Sequence, residues 1–599
     1  MKNKKDKKKQ HGTISNTVFA IKWFFKISPA YAIYKFLSIV LGDIIVLFEH
    51  TYLAAYIVSC VEKHRPLTDI LWFFIPLVIA VTLKVTLNPL VDAYISPRFN
   101  AKFKKAVDLT LYNKAVGMEI SKYDNSEFYN DFVWAMQQAP SHIYDLFLTF
   151  SQMISKIAVV LIAGTYIVVV DPVVLIAAAI IIPVCVLAFW FANKLYIKKE
   201  EELVPIRRKR DYVNRVFYLV DFIKDIKQSK ISEKLEKDFE DSSKAMEEPI
   251  KRYGIKIGGL HMLNGTFQSF IWDGAFLIYL FYQAIINLKF SLGNLLGVYN
   301  SGNRLIRDLR QMARIFPQFQ KHSLHIEKMR TFLETENKMQ DNGTAEIKGS
   351  GDIILDNVTF TYEGNEKPTI KNLSLNIKKG EKIALVGFNG AGKTTLIKLI
   401  LRLYDLDSGS ISYAGKNIKE YPIKKYREKY GVLFQDFEII AADISQNINM
   451  STDEFDQKRA DKVLQKVGFT EKLRSLKNGY QTQLTKEFYE DGVNLSGGEA
   501  QKIALARVLY SGADVIILDE PSSALDPIAE YQLNKAVTDL NKEKTVIIIS
   551  HRLSTTRFVD KIYMFENGEI IEIGSHEELL KKKGKYAEMF DLQAEKYRL

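Results

Sequence analysis

Six apolar stretches occupy the first half of the chain, and each is long enough to cross a bilayer. A helix needs about 20 apolar residues to span the hydrocarbon core. The stretches lie near residues 33–60, 70–93, 143–170, 172–190, 260–285 and 292–315. The last of them is the least apolar, and a hydropathy scan alone would miss it. We therefore expect an all-α transmembrane domain of six helices.

Basic residues mark one side of these spans. The chain has 82 Lys and Arg against 70 Asp and Glu, for a net charge of +12. Lysines crowd the amino terminus, and the long connections over residues 94–142 and 191–259 are basic, whereas residues 170–172 and 287–291 form short turns. The positive-inside rule therefore predicts that both termini and both long connections are cytoplasmic. Basic charge beside apolar segments favours contact with membrane lipids, and we expect no nucleic-acid partner.

Changes in composition along the chain predict the domain boundaries. The long connections keep a helical composition, so we predict that the spans continue into the cytoplasm, with a short capped helix at residues 124–129 and a similar turn near residues 219–226. Residues 335–351 are polar and contain no apolar period. The predicted domains are a basic cytoplasmic segment (residues 1–30), a transmembrane domain (31–330), a linker (331–351) and an α/β nucleotide-binding domain (352–599). Cys60 and Cys185 give neither a metal-binding spacing nor a disulfide framework.

Short β-like runs alternate with helical segments in the second half, at residues 353–360, 382–386, 515–518 and 545–549. Directly after the second run, residues 387–394 match G-x-x-x-x-G-K-[ST], in which glycines let backbone N–H groups surround phosphates. Lys393 supplies a charge to the terminal phosphates, and Thr394 offers a hydroxyl to Mg²⁺. The residues predicted to hold the nucleotide here are Gly387, Asn389, Gly390, Ala391, Gly392, Lys393, Thr394 and Thr395.

Two acids end the third of these β-like runs. Asp519 and Glu520 follow four apolar residues that are typical of a buried parallel strand, and ligands of such sheets bind at the carboxyl ends of the strands. We predict that Asp519 holds Mg²⁺ and that Glu520 orients and deprotonates the attacking water. Phosphoryl transfer depends mainly on positioning and charge stabilisation, which these groups supply.

Residues 495–499, Leu-Ser-Gly-Gly-Glu, resemble the signature motif of ATP-binding cassette (ABC) proteins. The resemblance implies that Ser496, Gly497 and Gly498 bind a phosphate in the site of the opposite subunit. It further implies the following roles: adenine stacking for Tyr362, Mg²⁺ contact and coupling to the membrane domain for Gln435, the dimer-interface loop for Asp526 and γ-phosphate contact for His551.

The six-span half is similar to type I exporter half-transporters. This resemblance implies ATP-driven export of a drug, peptide or lipid-like amphiphile by alternating access, in a multi-pass protein of the plasma membrane. The Lys-rich and Ile-rich composition looks bacterial. One cassette cannot complete a site alone, so we expect a second half-transporter. A homodimer is the simplest arrangement, and a heterodimer stays open.

Other functions remain as alternatives. A lipid flippase shares the whole architecture, and sequence motifs do not separate it from a drug or peptide exporter. A regulatory or peptidase-type membrane ATPase without cargo would need an additional module, and none is visible. A soluble cassette ATPase acting on nucleic acid or ribosomes would lack the spans.

Charged residues inside the predicted spans are candidates for cargo binding, because charge is costly in a membrane. Asp43 and His50 are placed to share a helix face, and Asp273 lies in the fifth span. One hypothesis is an acidic, hydrated cavity for cationic or peptide-like cargo, lined by Asp43, His50 and Asp273. The alternative, which we favour, is that these residues line a water-filled path without touching cargo or lie at the outer interface. Glycines at 293, 297 and 302 would either loosen a moving helix or allow close packing.

Overall fold

The computed structural model describes residues 11–171, 173–288, 290–337, 339–522, 527–538, 543–552 and 555–595. The chain divides into two compact units. The first comprises Met1–Gly117 and Ser126–Thr335, and the second comprises Met118–Asn125 and Glu336–Leu599. A short stretch early in the sequence thus belongs to the unit that contains the carboxyl-terminal half.

The first unit consists of long α-helices, some of which are interrupted by short π-helical turns. The helices up to residue 123 are α1 (Thr13–Ile27), α2 (Pro29–Leu47), α3 (Leu53–Glu62), α4 (Leu67–Leu90), α5 (Ser96–Val116) and α6 (Ile120–Tyr123), the last of which lies in the second unit. The remaining helices of the first unit are α7 (Ser126–Val170), α8 (Val174–Tyr218), α9 (Val220–Gln228), α10 (Ile231–Gln268), α11 (Leu277–Phe281) and α12 (Leu292–Glu334).

In the described part of the chain, five helical segments are long and apolar enough to cross a membrane, by length and composition. They are Pro29–Glu62, Leu67–Val116, Phe128–Val170, Ala179–Tyr218 and Ile231–Ile286. They contain or overlap the first five predicted stretches. The sixth predicted stretch lies within α12, which is helical but carries Arg304, Arg307 and Asp308. These charges explain why hydropathy alone does not select it.

The helices continue far beyond the apolar stretches, as predicted. The turn predicted near residues 219–226 lies at the start of that range, because α8 ends at Tyr218, Leu219 is extended, and the short helix α9 occupies Val220–Gln228. The short helix predicted at residues 124–129 is wrong. The short helix is α6, which ends at Tyr123, and α7 begins at Ser126 and runs unbroken to Val170. Asp124 and Asn125, between these two helices, form the turn itself and do not begin a separate short helix.

Glycines of α12 lie where neighbouring side chains approach its backbone. A Cβ atom built on Gly302 would overlap the indole ring of Trp272, which is buried. One on Gly297 would overlap the Tyr166 hydroxyl, and one on Gly293 would lie 2.6 Å from the Ala55 carbonyl oxygen. Close packing therefore accounts for these glycines.

We expect Gly302→Ala to destabilise the protein by about 1–3 kcal/mol, because the added methyl group must displace a buried tryptophan in a well-packed core. Thermal unfolding of the full chain in lipid nanodiscs measures this as a lower melting temperature. Gly265→Ala in α10 is the matched control, since a Cβ there meets nothing within 4 Å. Equal melting temperatures for Gly302→Ala and the unsubstituted protein would contradict the packing role.

The second unit is an α/β domain with two sheets, which confirms the predicted fold class. Its strands are β1 (Ile353–Phe360), β2 (Ile370–Ile377), β3 (Lys382–Gly387), β4 (Ser408–Tyr413), β5 (Lys416–Asn417), β6 (Tyr430–Leu433), β7 (Val515–Asp519), β8 (Thr545–Ile549), β9 (Lys561–Glu566) and β10 (Glu569–Gly574). A four-stranded antiparallel sheet has the order β2-β1-β4-β5, and a six-stranded sheet has the order β10-β9-β3-β8-β7-β6.

The six-stranded sheet positions the functional residues. Strand β3 pairs in parallel with β8 and β9, and β7 pairs in parallel with β8 and β6. Strands β7 and β8 are buried along their whole length, which explains their unbroken apolar runs. Because these strands are parallel, the loops after β3, β6, β7 and β8 all leave the sheet at one edge.

Helices flank this sheet. They are α13 (Lys393–Ile400), α14 (Ile423–Arg427), α15 (Ile444–Asn449), α16 (Gln457–Lys466), α17 (Thr470–Ser475), α18 (Gly497–Ser511), α19 (Pro527–Thr538), α20 (His576–Lys582) and α21 (Lys585–Glu595). Helix α13 begins six residues after β3 ends, so the glycine-rich loop joins a buried strand directly to a helix amino terminus.

Candidate functional site

The glycine-rich loop between β3 and α13 forms an open cradle of backbone. Gly390 and Gly392 have φ angles of +80° and +104°, which side chains other than glycine rarely adopt. A Cβ on Gly392 would also lie 2.7 Å from Ile370 Cδ1, whereas one on Gly390 would point into open space. Asn389 is exposed at the tip, and the Ala391 amide donates to the Phe388 carbonyl over 3.2 Å.

The cradle concentrates positive charge and hydrogen-bond donors. No side chain caps the amino terminus of α13, so its first N–H groups are free to bind an anion. The Lys393 ammonium is buried and donates to the carbonyl oxygens of Gly387 (2.8 Å) and Phe388 (2.9 Å). Burial lowers the pKa of Lys393, and the neighbouring acids Glu520 and Asp519 oppose that shift. This donor set fits the phosphates of a nucleotide.

The carboxylate of Asp519 lies beside the start of α13. Its side chain is buried at the end of β7, and the Thr394 hydroxyl donates to its Oδ2 over 3.0 Å. Burial raises the pKa of Asp519, while the hydrogen bond from Thr394 opposes the shift. The hydroxyl and carboxylate predicted to hold Mg²⁺ therefore lie within direct contact of one another, although the sequence separates them by more than a hundred residues.

Glu520 has a backbone conformation that is uncommon for its residue type. Its φ angle is +51°, in the left-handed region, and its amide donates to the Ile549 carbonyl over 3.0 Å. Such conformations persist where the surrounding structure fixes them, and they concentrate at functional sites. No feature of the sequence indicated this turn.

Both carboxylate oxygens of Glu520 have partners from neighbouring strand ends. His551 Nε2 lies 2.6 Å from Oε1, and Gln435 Nε2 donates to Oε2 over 3.1 Å. Burial lowers the pKa of His551, and nearby Lys393 lowers it further, whereas Glu520 raises it. A neutral imidazole that donates its Nε2–H to Glu520 accounts for this contact. The loops after β6, β7 and β8 thus converge on one acid.

Tyr362 lies beside the cradle. Its hydroxyl is 3.2 Å from Thr395 Oγ1, and its ring packs edge-on against Tyr404, with 5.4 Å between ring centroids. The Tyr404 hydroxyl in turn donates to Asp124 Oδ2 over 2.6 Å, next to α6. Sequence analysis did not connect Tyr404 with Asp124, because 280 positions separate the two residues.

The signature residues lie at the start of α18. The Ser496 side chain is exposed and caps the helix, accepting a hydrogen bond from the Glu499 amide. Among the described residues, no hydrogen bond connects Ser496, Gly497 or Gly498 to the glycine-rich loop of the same chain. Asp526 lies in residues 523–526, outside the described part of the chain.

In the first unit, Asp43 belongs to a buried ion network. It accepts hydrogen bonds from Ser155 Oγ and Lys156 Nζ, each over 2.7 Å, and lies 3.6 Å from Arg304. Asp308 completes the network, with Arg304 at 2.6 Å and Lys156 at 3.4 Å. Two acids and two bases offset one another, so Asp43 contributes no free negative charge.

Two cavities lie along the same helices of this unit. One, of about 690 Å³, is lined mainly by apolar and aromatic side chains, including Phe48, Tyr52 and Tyr166. The other, of about 470 Å³, is polar and includes Asp43, Lys84 and Arg314. Among the described residues, neither Lys84 nor Arg314 forms an ion pair.

The hypothesis of an acidic cavity is wrong, because more positive than negative side chains line the cavity that contains Asp43. Asp43 lines the polar cavity, but its charge is offset by Lys156 and Arg304, and two further cations face the same space. His50 is 70% exposed and Asp273 is exposed, and neither lines these two cavities. The helix-face argument failed because it could not show which neighbouring helices would supply counter-charges.

Known proteins share both units of this architecture. The sequence profile of the ABC transporter family matches residues 370–523, which include the glycine-rich loop, the signature and the acids after β7. The second unit carries an ABC transporter domain. The presence of this domain implies that the second unit binds ATP.

Curated relatives match about half of the chain. The ATP-dependent lipid A-core flippase of Vibrio parahaemolyticus is 34% identical over 317 residues, which are 52% of this chain and 54% of the flippase. The protein of the same name from Escherichia coli K12 is 32% identical over 320 residues, covering 53% and 54% of the two chains. The chain therefore spans about half the length of the curated relatives it matches.

The likeness in structure extends over nearly the whole chain. A bacterial Atm1-family ABC exporter, solved with ATP bound, matches with a TM-score of 0.75 and covers 95% of this chain and 98% of its own, at 21% identity. The chain thus has the fold of an ABC exporter half-transporter. Together with the five apolar helical segments, this fold makes it a multi-pass membrane protein.

Proposed function

We propose that this protein is an ATP-driven exporter of amphiphilic cargo. The proposal rests on one observation: an ABC domain and helices long and apolar enough to cross a membrane belong to the same chain. In the ABC domain, the groups that would bind phosphates lie next to the acids after β7. Relatives named as ATP-dependent flippases agree with an energy-coupled transport role. By the positive-inside rule, the amino terminus and the ABC domain are cytoplasmic, and a bacterial plasma membrane is the expected location.

The chain's own residues divide the work of hydrolysis. Lys393 and the free amides of α13 bind the terminal phosphates, and Tyr362 stacks on the adenine. Thr394, Asp519 and Gln435 would hold Mg²⁺, an ion that neutralises charge developing on the phosphates.

Glu520 accepts a proton from the attacking water, and His551, which already contacts Glu520, orients this acid and reaches the γ-phosphate. Release of Glu520 from Gln435 frees one carboxylate oxygen for the water.

A second copy of the chain completes each site in this proposal. Ser496, Gly497 and Gly498 offer a helix start to a phosphate, and in the described part of one chain no hydrogen bond joins them to the glycine-rich loop. Two chains facing each other would place each signature against the other's cradle. A homodimer satisfies both sites with identical residues, and a heterodimer with a different half-transporter is the alternative.

The cavities favour cargo with an apolar body and an anionic head. The apolar cavity uses residues near 162 of α7, and the polar cavity uses residues near 154. On α4, the apolar cavity reaches Phe73 and the polar cavity reaches Lys84, and at a rise of 1.5 Å per residue these two positions lie about 16 Å apart along the helix. Lys84 and Arg314 would face a phosphate or carboxylate head while the tail occupies the aromatic cavity. A lipid flippase is therefore favoured over an exporter of cationic drugs.

The test of this function is ATPase activity of the full chain in lipid nanodiscs, measured alone and with anionic lipids, amphipathic peptides and cationic drugs. Vanadate-sensitive turnover that anionic amphiphiles stimulate most is the expected result. Absence of turnover from folded protein would contradict the homodimer. Stimulation by cationic drugs alone would contradict the cargo class while leaving the ATPase intact.

We expect Lys84→Gln combined with Arg314→Gln to weaken the half-maximal response to an anionic lipid about ten-fold, which corresponds to about 1.4 kcal/mol. Lys84 and Arg314 line the polar cavity and form no ion pair among the described residues. In the double variant, an anionic head group would lose both of these positively charged partners. Lys256→Gln is the matched control, because that lysine is exposed on α10 and lines neither cavity. An unchanged response in the double variant would show that the cargo binds elsewhere.

A further inference from the structure

Three of the nine histidines in the chain meet at one place between α7 and α12, just beyond the predicted spans. His142 Nδ1 and His322 Nδ1 are 2.9 Å apart, and the ring of His325 stacks on that of His142 with 3.8 Å between centroids and an angle of 8°. Asp145 lies one turn after His142 on α7. Nothing in the nucleotide or cargo sites uses these residues.

The ligand atoms of this histidine cluster converge. One atom each from His142, Asp145 and His322 lies within 4.8 Å of the other two. Two imidazole nitrogens bound to one Zn²⁺ ion at 2.0–2.1 Å lie about 3.3 Å apart when the geometry is tetrahedral. The observed 2.9 Å separation of the two Nδ1 atoms needs only a few tenths of an ångström of opening to admit an ion.

The surroundings of the cluster favour ligation. Gln138 Oε1 lies 3.3 Å from His142 Nε2, so it accepts the Nε2–H and leaves Nδ1 as the unprotonated, ligating nitrogen. The stacked ring of His325 fixes the plane of His142. The buried Nδ1 of His325 has no hydrogen-bond partner among the described residues, so a polar group at this cluster is under-satisfied.

Two lysines lie near the histidine cluster, and other groups or solvent reduce their repulsion of a bound cation. Lys328 pairs with Asp131 at 3.7 Å and lies over the Trp134 ring at 4.7 Å, so its ammonium is held by other groups. Lys321 is exposed to solvent, which screens it. Two imidazoles and one carboxylate form a set that suits borderline transition metals such as Zn²⁺ and Co²⁺ better than Mg²⁺ or Ca²⁺, which prefer oxygen ligands.

We propose that His142, Asp145 and His322 form a binding site for a divalent transition-metal ion that joins α7 to α12. Water completes the coordination, and His325 and Gln138 position His142. A bound ion would hold together two helices of the first unit, and it would use no residue of the proposed nucleotide site or of either cavity. The proposal does not depend on the proposed cargo or on ATP turnover.

The test is Co²⁺ binding to the tag-free full chain in nanodiscs, stripped with chelator and free of nucleotide. We expect one Co²⁺ per chain with visible d–d absorption, displaced by Zn²⁺ and not by Mg²⁺. His142→Gln and His322→Gln should each bind at least about ten-fold more weakly. His261→Gln, which replaces an exposed histidine on α10 outside the cluster, is the matched control and should bind normally.

A second measurement guards against misfolded variants. Zn²⁺ should raise the melting temperature of the unsubstituted protein and of His261→Gln, and it should not raise that of Asp145→Asn, which keeps the size of the side chain. Binding of equal stoichiometry and affinity by the His142 and His322 variants would overturn the site. So would the absence of Co²⁺ binding by the unsubstituted protein, in which case the two histidines serve only as a hydrogen bond between helices.

Discussion

Glu520→Gln is expected to lower the ATP turnover number by about 10²- to 10⁴-fold, the usual contribution of a positioned general base. The amide is nearly the same size but cannot accept the proton of the attacking water. ATP binding should persist, because in the proposed site Lys393 and the amides of α13 would bind the phosphates independently of this carboxylate. Turnover in nanodiscs and binding of a fluorescent ATP analogue measure the two effects separately.

The control for this substitution is Glu569→Gln, which removes an exposed carboxylate at the start of β10. Its turnover should equal that of the unsubstituted protein. If Glu520→Gln hydrolysed ATP at the normal rate, another group would have to act as the base, and the assignment of the acid after β7 would be wrong. Loss of both turnover and analogue binding would instead indicate that the carboxylate mainly maintains the loop.

Asp308→Ala is expected to reduce the free energy of unfolding by about 3–5 kcal/mol, because it leaves buried cations without their partner. Asp308 is 1% exposed and contacts both Arg304 and Lys156. After the substitution, those two cations would share Asp43 alone. Thermal or denaturant unfolding of the full chain in nanodiscs measures the loss.

Two comparisons separate a charge effect from a packing effect. The double variant Arg304→Met with Asp308→Leu should be more stable than Asp308→Ala alone, since apolar replacement of a buried pair removes the uncompensated charge. Asp273→Asn is the matched control: Asp273 is exposed and accepts one hydrogen bond, from Tyr299 over 3.0 Å. Equal stability of Asp308→Ala and Asp273→Asn would contradict the role of the network.

The ABC domain was predictable from sequence because its chemistry is encoded locally. Residues 387–394 hold the whole cradle within one strand-loop-helix segment, and Asp519 and Glu520 follow directly on a buried strand. The four predicted strands are confirmed as β1, β3, β7 and β8, with ends that differ by at most one residue. Apolar runs in parallel strands mark both the strand and the end at which ligands bind.

The contacts within the site were not predictable in the same way. The left-handed φ of Glu520 and its contacts with His551 and Gln435 depend on how β6, β7 and β8 pair in the sheet. The link from Tyr404 to Asp124 depends on a segment early in the chain joining the second unit. Such contacts arise from packing between distant parts of the chain, and local patterns contain no information about them.

The sequence by itself determined the two-part architecture, the apolar segments and the glycine-rich loop and acids proposed to bind the nucleotide, because hydropathy and short motifs act over neighbouring positions. Only the tertiary structure decided the sign of charge in the polar cavity and the meeting of His142 with His322, which are 180 positions apart. The physical reason is that a buried charge takes its character from the side chains facing it on other helices. How those helices are rotated and paired is fixed by packing of the whole unit.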